Sequence, residues 1–190
     1  MPFSDPGPNK AILQQARSAL EQGEVVAYPT ETVWGLGCDP DSDKGLEHVL
    51  ALKTRPADKG LILIADSVFR CEPWLEGLDP LLRARFAAPA EVPTTWLVPD
   101  NGRAHSLVRG RFTSVAIRIS THPVAAALCA ALGKPLVSTS ANRAGELPCS
   151  SASDVRKIFG DRVMVIDGAL GGYDRPSRIR DLMTGDILRD

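Results

Sequence analysis

The chain has 190 residues, 44% of them hydrophobic, with 22 basic and 23 acidic side chains and a formal charge of -1. This length and composition suit a single domain, expected over residues 1–190, with a substantial core. The balanced charge excludes a protein that coats nucleic acid nonspecifically. Cys38, Cys71, Cys129 and Cys149 form no Cys-x-x-Cys pair, and His48, His105 and His122 make no metal-ligand pattern. No apolar run is long enough to span a bilayer, and no secretory pattern lies near Met1. A cytoplasmic protein with no membrane segment and no protein-held metal is the expectation.

The first predicted element is a helix capped by Asn9 and running to about Gln22, with Ile12, Leu13, Ala16, Ala19 and Leu20 on one side. A strand from Glu24 to Tyr28 leads into Thr30-Glu31-Thr32-Val33-Trp34-Gly35-Leu36-Gly37. If the extended geometry persists, Thr30 and Thr32 face the same way, while Gly35 and Gly37 let the backbone pass close to something. A hairpin or bulge with incidental threonines is the competing reading. Asp41 or Ser42 caps a second helix carrying Leu46, Val49, Leu50 and Leu52, and Pro56 ends it. Its exit, Lys53 to Gly60, holds Lys53, Arg55 and Lys59 beside a strand from Leu61 to Ile64. The helix dipole accounts for a cation at Lys53 but less well for Arg55 and Lys59, which suit an anion site.

Residues Phe69 to Ala88 read as mostly helical, and Thr94 to Val98 as a strand in which Thr95 faces away from Trp96. Asn101 to Arg111 is a polar loop whose Arg103, His105, Arg109 and Arg111 form either a solvated rim or a basic lip. In the strand Ser114 to Ser120, Val115, Ile117 and Ile119 fill one face, and Ala116, Arg118 and Ser120 line the other. An arginine there needs an opposing carboxylate or an anion-binding cavity, because burying its charge alone is costly. A helix follows from Pro123 to Gly133. The strand from Pro135 then ends in Ser138-Thr139-Ser140-Ala141-Asn142, with Ser138 and Ser140 on one face and Thr139 on the other. Alone, that polar run reads better as a turn than as a site. Ser151 or Ser153 caps a short helix to Phe159, Val163 to Ile166 is a strand, and a glycine-rich tail from Gly168 ends in a hairpin around Thr184-Gly185.

These hydroxyls, the amide and the cations form a set that binds phosphate and carboxylate. There is no Gly-x-Ser-x-Gly elbow, no close carboxylate pair and no P-loop. Phosphoryl or nucleotidyl transfer fits, since such chemistry runs on positioning and charge neutralisation with the substrate as nucleophile.

Tyr28 to Gly37, Lys53-Thr54-Arg55-Pro56 with Lys59-Gly60, the Val115–Ile119 strand and Ser138-Thr139-Ser140-Ala141-Asn142 together resemble the YrdC-like family of threonylcarbamoyl-AMP synthases, its short bacterial form in particular. The resemblance implies an α/β fold, a twisted mixed sheet with flanking helices around a positively charged cavity. It implies formation of threonylcarbamoyl-adenylate and pyrophosphate from L-threonine, bicarbonate and ATP, with magnesium accompanying ATP, for the N6-threonylcarbamoyl modification of adenosine 37 in tRNA. Downstream threonylcarbamoyl-transferase proteins, and a possible tRNA contact, are the partners implied. By the same resemblance Lys53 and Arg55 are the catalytic cations. Lys59, Ser138, Ser140, Asn142 and Ser177 join them on ATP, and Thr32, Thr95 and Arg118 hold threonine. Two stretches depart from the family pattern. Glu91-Val92-Pro93-Thr94-Thr95 stands where Pro-Gly-Pro-x-Thr is usual, and Arg143-Ala144-Gly145 replaces x-Ser-Gly after Asn142. A non-catalytic RNA-binding or ribosome-maturation module using the same basic cavity is the alternative.

Overall fold

A computed structural model describes residues 7–190. The part of the expected 1–190 domain before Gly7, with the region around Met1, lies outside the described residues.

The helices are α1 (Lys10–Glu21), α2 (Asp43–Lys53), α3 (Val68–Leu75), α4 (Pro80–Ala87), α5 (Ser106–Arg109), α6 (Pro123–Leu132) and α7 (Ala152–Phe159). The strands are β1 (Val26–Pro29), β2 (Trp34–Gly37), β3 (Ile62–Ala65), β4 (Thr94–Pro99), β5 (Ser114–Ile119), β6 (Leu136–Ser140), β7 (Met164–Val165), β8 (Arg178–Asp181) and β9 (Ile187–Arg189). They form one mixed sheet in the order β7-β1-β2-β6-β3-β5-β4-β8-β9. The helix caps follow from local chemistry: Asn9 accepts from the Ile12 amide, Ser42 from Gly45 and Ser151 from Asp154.

Several expected boundaries move. The predicted 24–28 strand runs over Val26–Pro29, and Trp34–Gly37 is a strand paired antiparallel to it, which is the hairpin of the competing reading. Backbone pairing outweighs the low strand propensity of Gly35 and Gly37. The Phe69–Ala88 stretch divides into α3 and α4, because Gly77, at φ 81°, takes the left-handed conformation between them. The tail hairpin forms as expected, with β8 antiparallel to β9.

The two sheet faces are filled differently. One carries Leu63, Ile117 and Val137 into a cluster with Leu46 and Val49 of α2 and Trp74 of α3. The other carries Val26, Tyr28, Ile64 and Leu136 into a cluster with Ala16 and Leu20 of α1 and Val124 and Leu128 of α6. On this second face the strand register sets Leu136, Ile64, Arg118 and Thr95 side by side across four strands. The row is apolar beneath the helices and turns polar at Arg118. A second row, Ser138, Ile62, Ala116 and Leu97, runs parallel to it. Since α1 and α6 cover only the first part of this face, the remainder is the floor of a cavity.

Candidate functional site

The cavity holds about 310 Å³ and is bounded by the β1–β2 turn, the end of β6, β5 and the β8–β9 hairpin. Thr30, Thr32, Ser138, Ser140 and Ser177 bring hydroxyls to its wall, and Arg55, Arg118 and Arg189 bring guanidinium groups. None of the residues lining it is a carboxylate. Thr139, expected on the opposite sheet face, also lines it at the strand's end. A second cavity, of about 400 Å³, shares Arg55, Leu61, Ile62 and Arg189 with the first, and Lys59 lies on its wall. Its remaining lining is mainly apolar, including Leu97, Val108 and Phe112.

The β1–β2 turn that supplies Thr30 and Thr32 is closed from within. The Thr30 hydroxyl donates to the Val33 carbonyl at 2.7 Å, so it both shapes the turn and lines the cavity. Gly37 is required by a close approach. A Cβ there would lie 2.7 Å from the Val137 carbonyl oxygen and 2.8 Å from the Tyr28 ring.

Lys53 and Arg55 are two residues apart and do different things. The Lys53 ammonium, only 3% exposed, donates to the main-chain oxygens of Ser140 at 2.6 Å and Asn142 at 2.9 Å and to Asn142 Oδ1 at 3.0 Å. Burial, reinforced by the neighbouring Arg55 charge, pulls its pKa down to about 8. Asn142 is used as fully: Oδ1 also accepts from the Ser140 hydroxyl at 2.6 Å, and Nδ2 donates to the carbonyls of Arg143 and Glu146. The Lys53 carbonyl accepts from the Ala144 amide. Lys53 and Asn142 thus brace the end of β6 from behind, and neither lines the 310 Å³ cavity. Arg55 is half-buried, rests on the Gly60 and Lys59 carbonyls at 3.1 and 3.3 Å, and lines both cavities.

Arg118 meets both conditions posed by its strand. It lines the cavity, and its Nη2 lies 3.4 Å from Glu31 Oε2, both side chains being buried. Glu31 Oε1 accepts from the Ser120 hydroxyl at 2.7 Å and the Thr121 amide at 3.1 Å. Burial pushes the Glu31 carboxyl up, but the Arg118 charge and the Ser120 hydrogen bond outweigh it and hold it below the ordinary carboxylate value. Among the described residues, Arg118 Nε and Glu31 Oε2 have no hydrogen-bond partner.

Thr95 is fully buried, its hydroxyl 2.9 Å from that of Ser177, and Ser177 alone of the two lines the cavity. The Ser177 carbonyl accepts from Arg189 at 2.7 Å. The glycine-rich tail is tied down before it reaches Ser177, with the Gly171 amide on the Thr30 carbonyl and the Tyr173 amide on the Glu31 carbonyl. Arg189 was not singled out from the sequence. The sequence signals the tail hairpin around Thr184-Gly185 but not that Arg189 within it faces the cavity. The polar loop is not a free basic lip, since Arg103 pairs with Asp41, His105 with Asp43, Arg109 with Asp100 and Arg111 with Asp58.

A twisted mixed sheet with half of one face left open, walled by hydroxyls and arginines and free of lining carboxylates, defines an α/β protein built to hold anions. A family model, Sua5_yciO_yrdC, described as "Telomere recombination", matches residues 18–190. The chain is 60% identical to a threonylcarbamoyl-AMP synthase of Chromohalobacter salexigens over 177 residues, 93% of this chain and 96% of that relative. It is 47% identical to one of Cellvibrio japonicus over 175 residues, covering 92% and 93%. The solved structure of P. abyssi Sua5 complexed with L-threonine is similar with a TM-score of 0.79 at 28% identity, covering 90% of this chain and 51% of that one. The chain therefore spans about half of that solved protein. E. coli YciO shares the fold, with a TM-score of 0.80 at 21% identity over 97% of this chain and 91% of that one. The chain belongs to the Sua5/YciO/YrdC family.

Proposed function

We infer that the protein is a threonylcarbamoyl-AMP synthase, making threonylcarbamoyl-adenylate and pyrophosphate from L-threonine, bicarbonate and ATP. The observation that carries this is the open half-face, where three arginines and six hydroxyl side chains of threonine and serine converge without a lining carboxylate. It stands in a chain 60% identical to a threonylcarbamoyl-AMP synthase over nearly its whole length. Adenylate formation asks for just such a wall. It must neutralise a triphosphate and a carboxylate at once, and it need not supply a nucleophile.

In the proposed reaction the threonine amine captures carbon dioxide, or bicarbonate with loss of water, as a carbamate, and the amine proton leaves with that water or to solvent. A carbamate oxygen attacks the α-phosphorus of ATP, and the bond to the β-phosphate oxygen breaks to release pyrophosphate. Arg55, joined by Arg189 from the hairpin, neutralises the phosphate chain, with Lys59 at its outer end. Ser138 and Ser177 hydrogen-bond the nucleotide, and Ser140, whose proton is given to Asn142 Oδ1, meets it as an acceptor. Lys53 and Asn142 act on ATP through Ser140, whose strand end they brace. Thr32 and Arg118 hold threonine, Arg118 through the carboxylate, and Thr95 acts through Ser177. Magnesium would be held by the triphosphate, since the hydroxyls and guanidinium groups around the cavity give it no carboxylate.

The role extends to tRNA adenosine-37 modification in the cytoplasm, with the labile adenylate passed to threonylcarbamoyl-transferase proteins and a possible contact to tRNA. No helix among the described residues is long and apolar enough to cross a membrane, and the four cysteines are buried and free, in keeping with a reducing compartment. The 1–190 chain is proposed as one domain, which the single continuous sheet supports. Pyrophosphate release from ATP, measured with and without threonine and bicarbonate, tests the reading.

A further inference from the structure

The three arginines of the cavity are compensated unequally. Among the described residues Arg55 hydrogen-bonds to the carbonyls of Gly60 and Lys59, with Asp58 near enough to act on its charge, and Arg189 to the carbonyl of Ser177. Among the described residues, Arg118 is the one of the three with a buried carboxylate at ion-pair distance, Glu31, 3.4 Å away and 3% exposed. Glu31 does not line the substrate cavity. It sits in the wall of another cavity, of about 270 Å³, lined also by Trp96 and Phe86. The Ser120 hydroxyl and Thr121 amide fix its other oxygen, and the Tyr173 amide fixes its main chain.

We propose that Glu31 is a specificity-determining residue, which discounts the charge of Arg118 so that this end of the cavity takes a monocarboxylate amino acid and rejects phosphate. The inference rests on the reading of Arg118 as the threonine carboxylate's partner. Its physics is Coulombic. A ligand anion placed against Arg118 also feels the Glu31 charge; attraction and repulsion both double for a dianion, so Glu31 cancels the extra attraction that phosphate would otherwise have over a monocarboxylate. An amino-acid zwitterion feels least, because its ammonium group offsets the penalty on its carboxylate. The 3.4 Å separation keeps Arg118 from forming a bidentate pair with Glu31, which would have consumed the guanidinium donors that a ligand carboxylate needs. The polyphosphate is thereby confined to the Arg55 and Arg189 end, and phosphate or pyrophosphate does not block the amino-acid end.

Calorimetric titration of L-threonine, alone and with inorganic phosphate, into the wild type and Glu31→Gln tests this. In the wild type, phosphate leaves the threonine affinity unchanged within about twofold. In E31Q, phosphate weakens apparent threonine binding by about tenfold or more. Phosphate also raises the melting temperature of E31Q by more than it raises that of the wild type, because it neutralises the unpaired Arg118. A merely structural Glu31 would lower affinity for both ligands alike, and that result overturns the proposal. So does phosphate competing with threonine in the wild type, a measurement that stands even if E31Q fails to fold, and so does wild type that binds no threonine. Wild type that binds threonine but releases no threonine-dependent pyrophosphate would remove the catalytic reading and leave this assignment standing.

Discussion

The Lys53 ammonium lies 2.6 Å from the main-chain oxygen of Ser140, 87 residues further along the chain. A helix end and a strand end are locked together by one buried cation, whose three protons meet three oxygens. Arg55, one step past it, faces the cavity instead. Lys53→Met should therefore lose about 2 kcal/mol or more of stability, because it strands buried acceptors. Arg55→Ala gives up two longer bonds to carbonyls at a half-exposed site and should lose about 1 kcal/mol or less, while abolishing turnover. Urea unfolding beside a turnover assay of both variants checks the contrast.

Lys53 also predicts a pH signature. Its folded pKa is about 8, against an ordinary lysine value of 10.5. Between these values the unfolded chain binds more protons than the folded one, so this group's contribution to stability rises with pH across that window. Below about 8 its cost to the fold is fully present. Unfolding free energies from pH 7 to 10 should rise more steeply in the wild type than in Lys53→Met.

Gly35 and Gly37 separate fold from function. A methyl at Gly37 meets the Val137 carbonyl and the Tyr28 ring inside 3 Å, so Gly37→Ala should destabilise by about 1–3 kcal/mol. At Gly35 the nearest atoms are 3.4 Å away, at the Ser138 hydroxyl, Thr30 and Tyr28, so Gly35→Ala should fold nearly as well. Its methyl intrudes on the cavity wall, and threonine affinity should fall. Melting temperatures and threonine titrations distinguish the two.

The Thr95–Ser177 hydroxyl pair carries the tail into the site. Thr95→Val keeps the shape but leaves the buried Ser177 hydroxyl without that partner, a loss of about 1–3 kcal/mol. Ser177→Ala removes a cavity hydroxyl as well, so it should weaken ATP binding more than Thr95→Val does. Nucleotide titrations with both variants read the difference.

Much of this was legible because it is local. Alternation placed Arg118 on a polar face and Thr95 away from Trp96, and the caps at Asn9, Ser42 and Ser151 follow from side-chain chemistry. The resemblance carried the site list. What sequence could not separate were residues alike in kind but different in partner. Lys53 and Arg55 share one motif, and only contact with Ser140 and Asn142 turns Lys53 inward. Arg118 posed a choice between ion pair and cavity, and it has both because Glu31 lies just behind the Thr30 and Thr32 side. Arg103, His105, Arg109 and Arg111 resembled a basic lip until their carboxylates, at 41, 43, 100 and 58, were brought beside them by the fold. Arg189 reaches the cavity through an edge hairpin that Thr184-Gly185 signals, but no local pattern says that its side chain faces the cavity.

The most direct test of the catalytic reading is pyrophosphate release by the purified wild-type chain with ATP, L-threonine and bicarbonate. Release should require threonine and bicarbonate together and should disappear in Arg55→Ala with its fold intact. Release independent of threonine, or none from a folded wild-type protein, would contradict it.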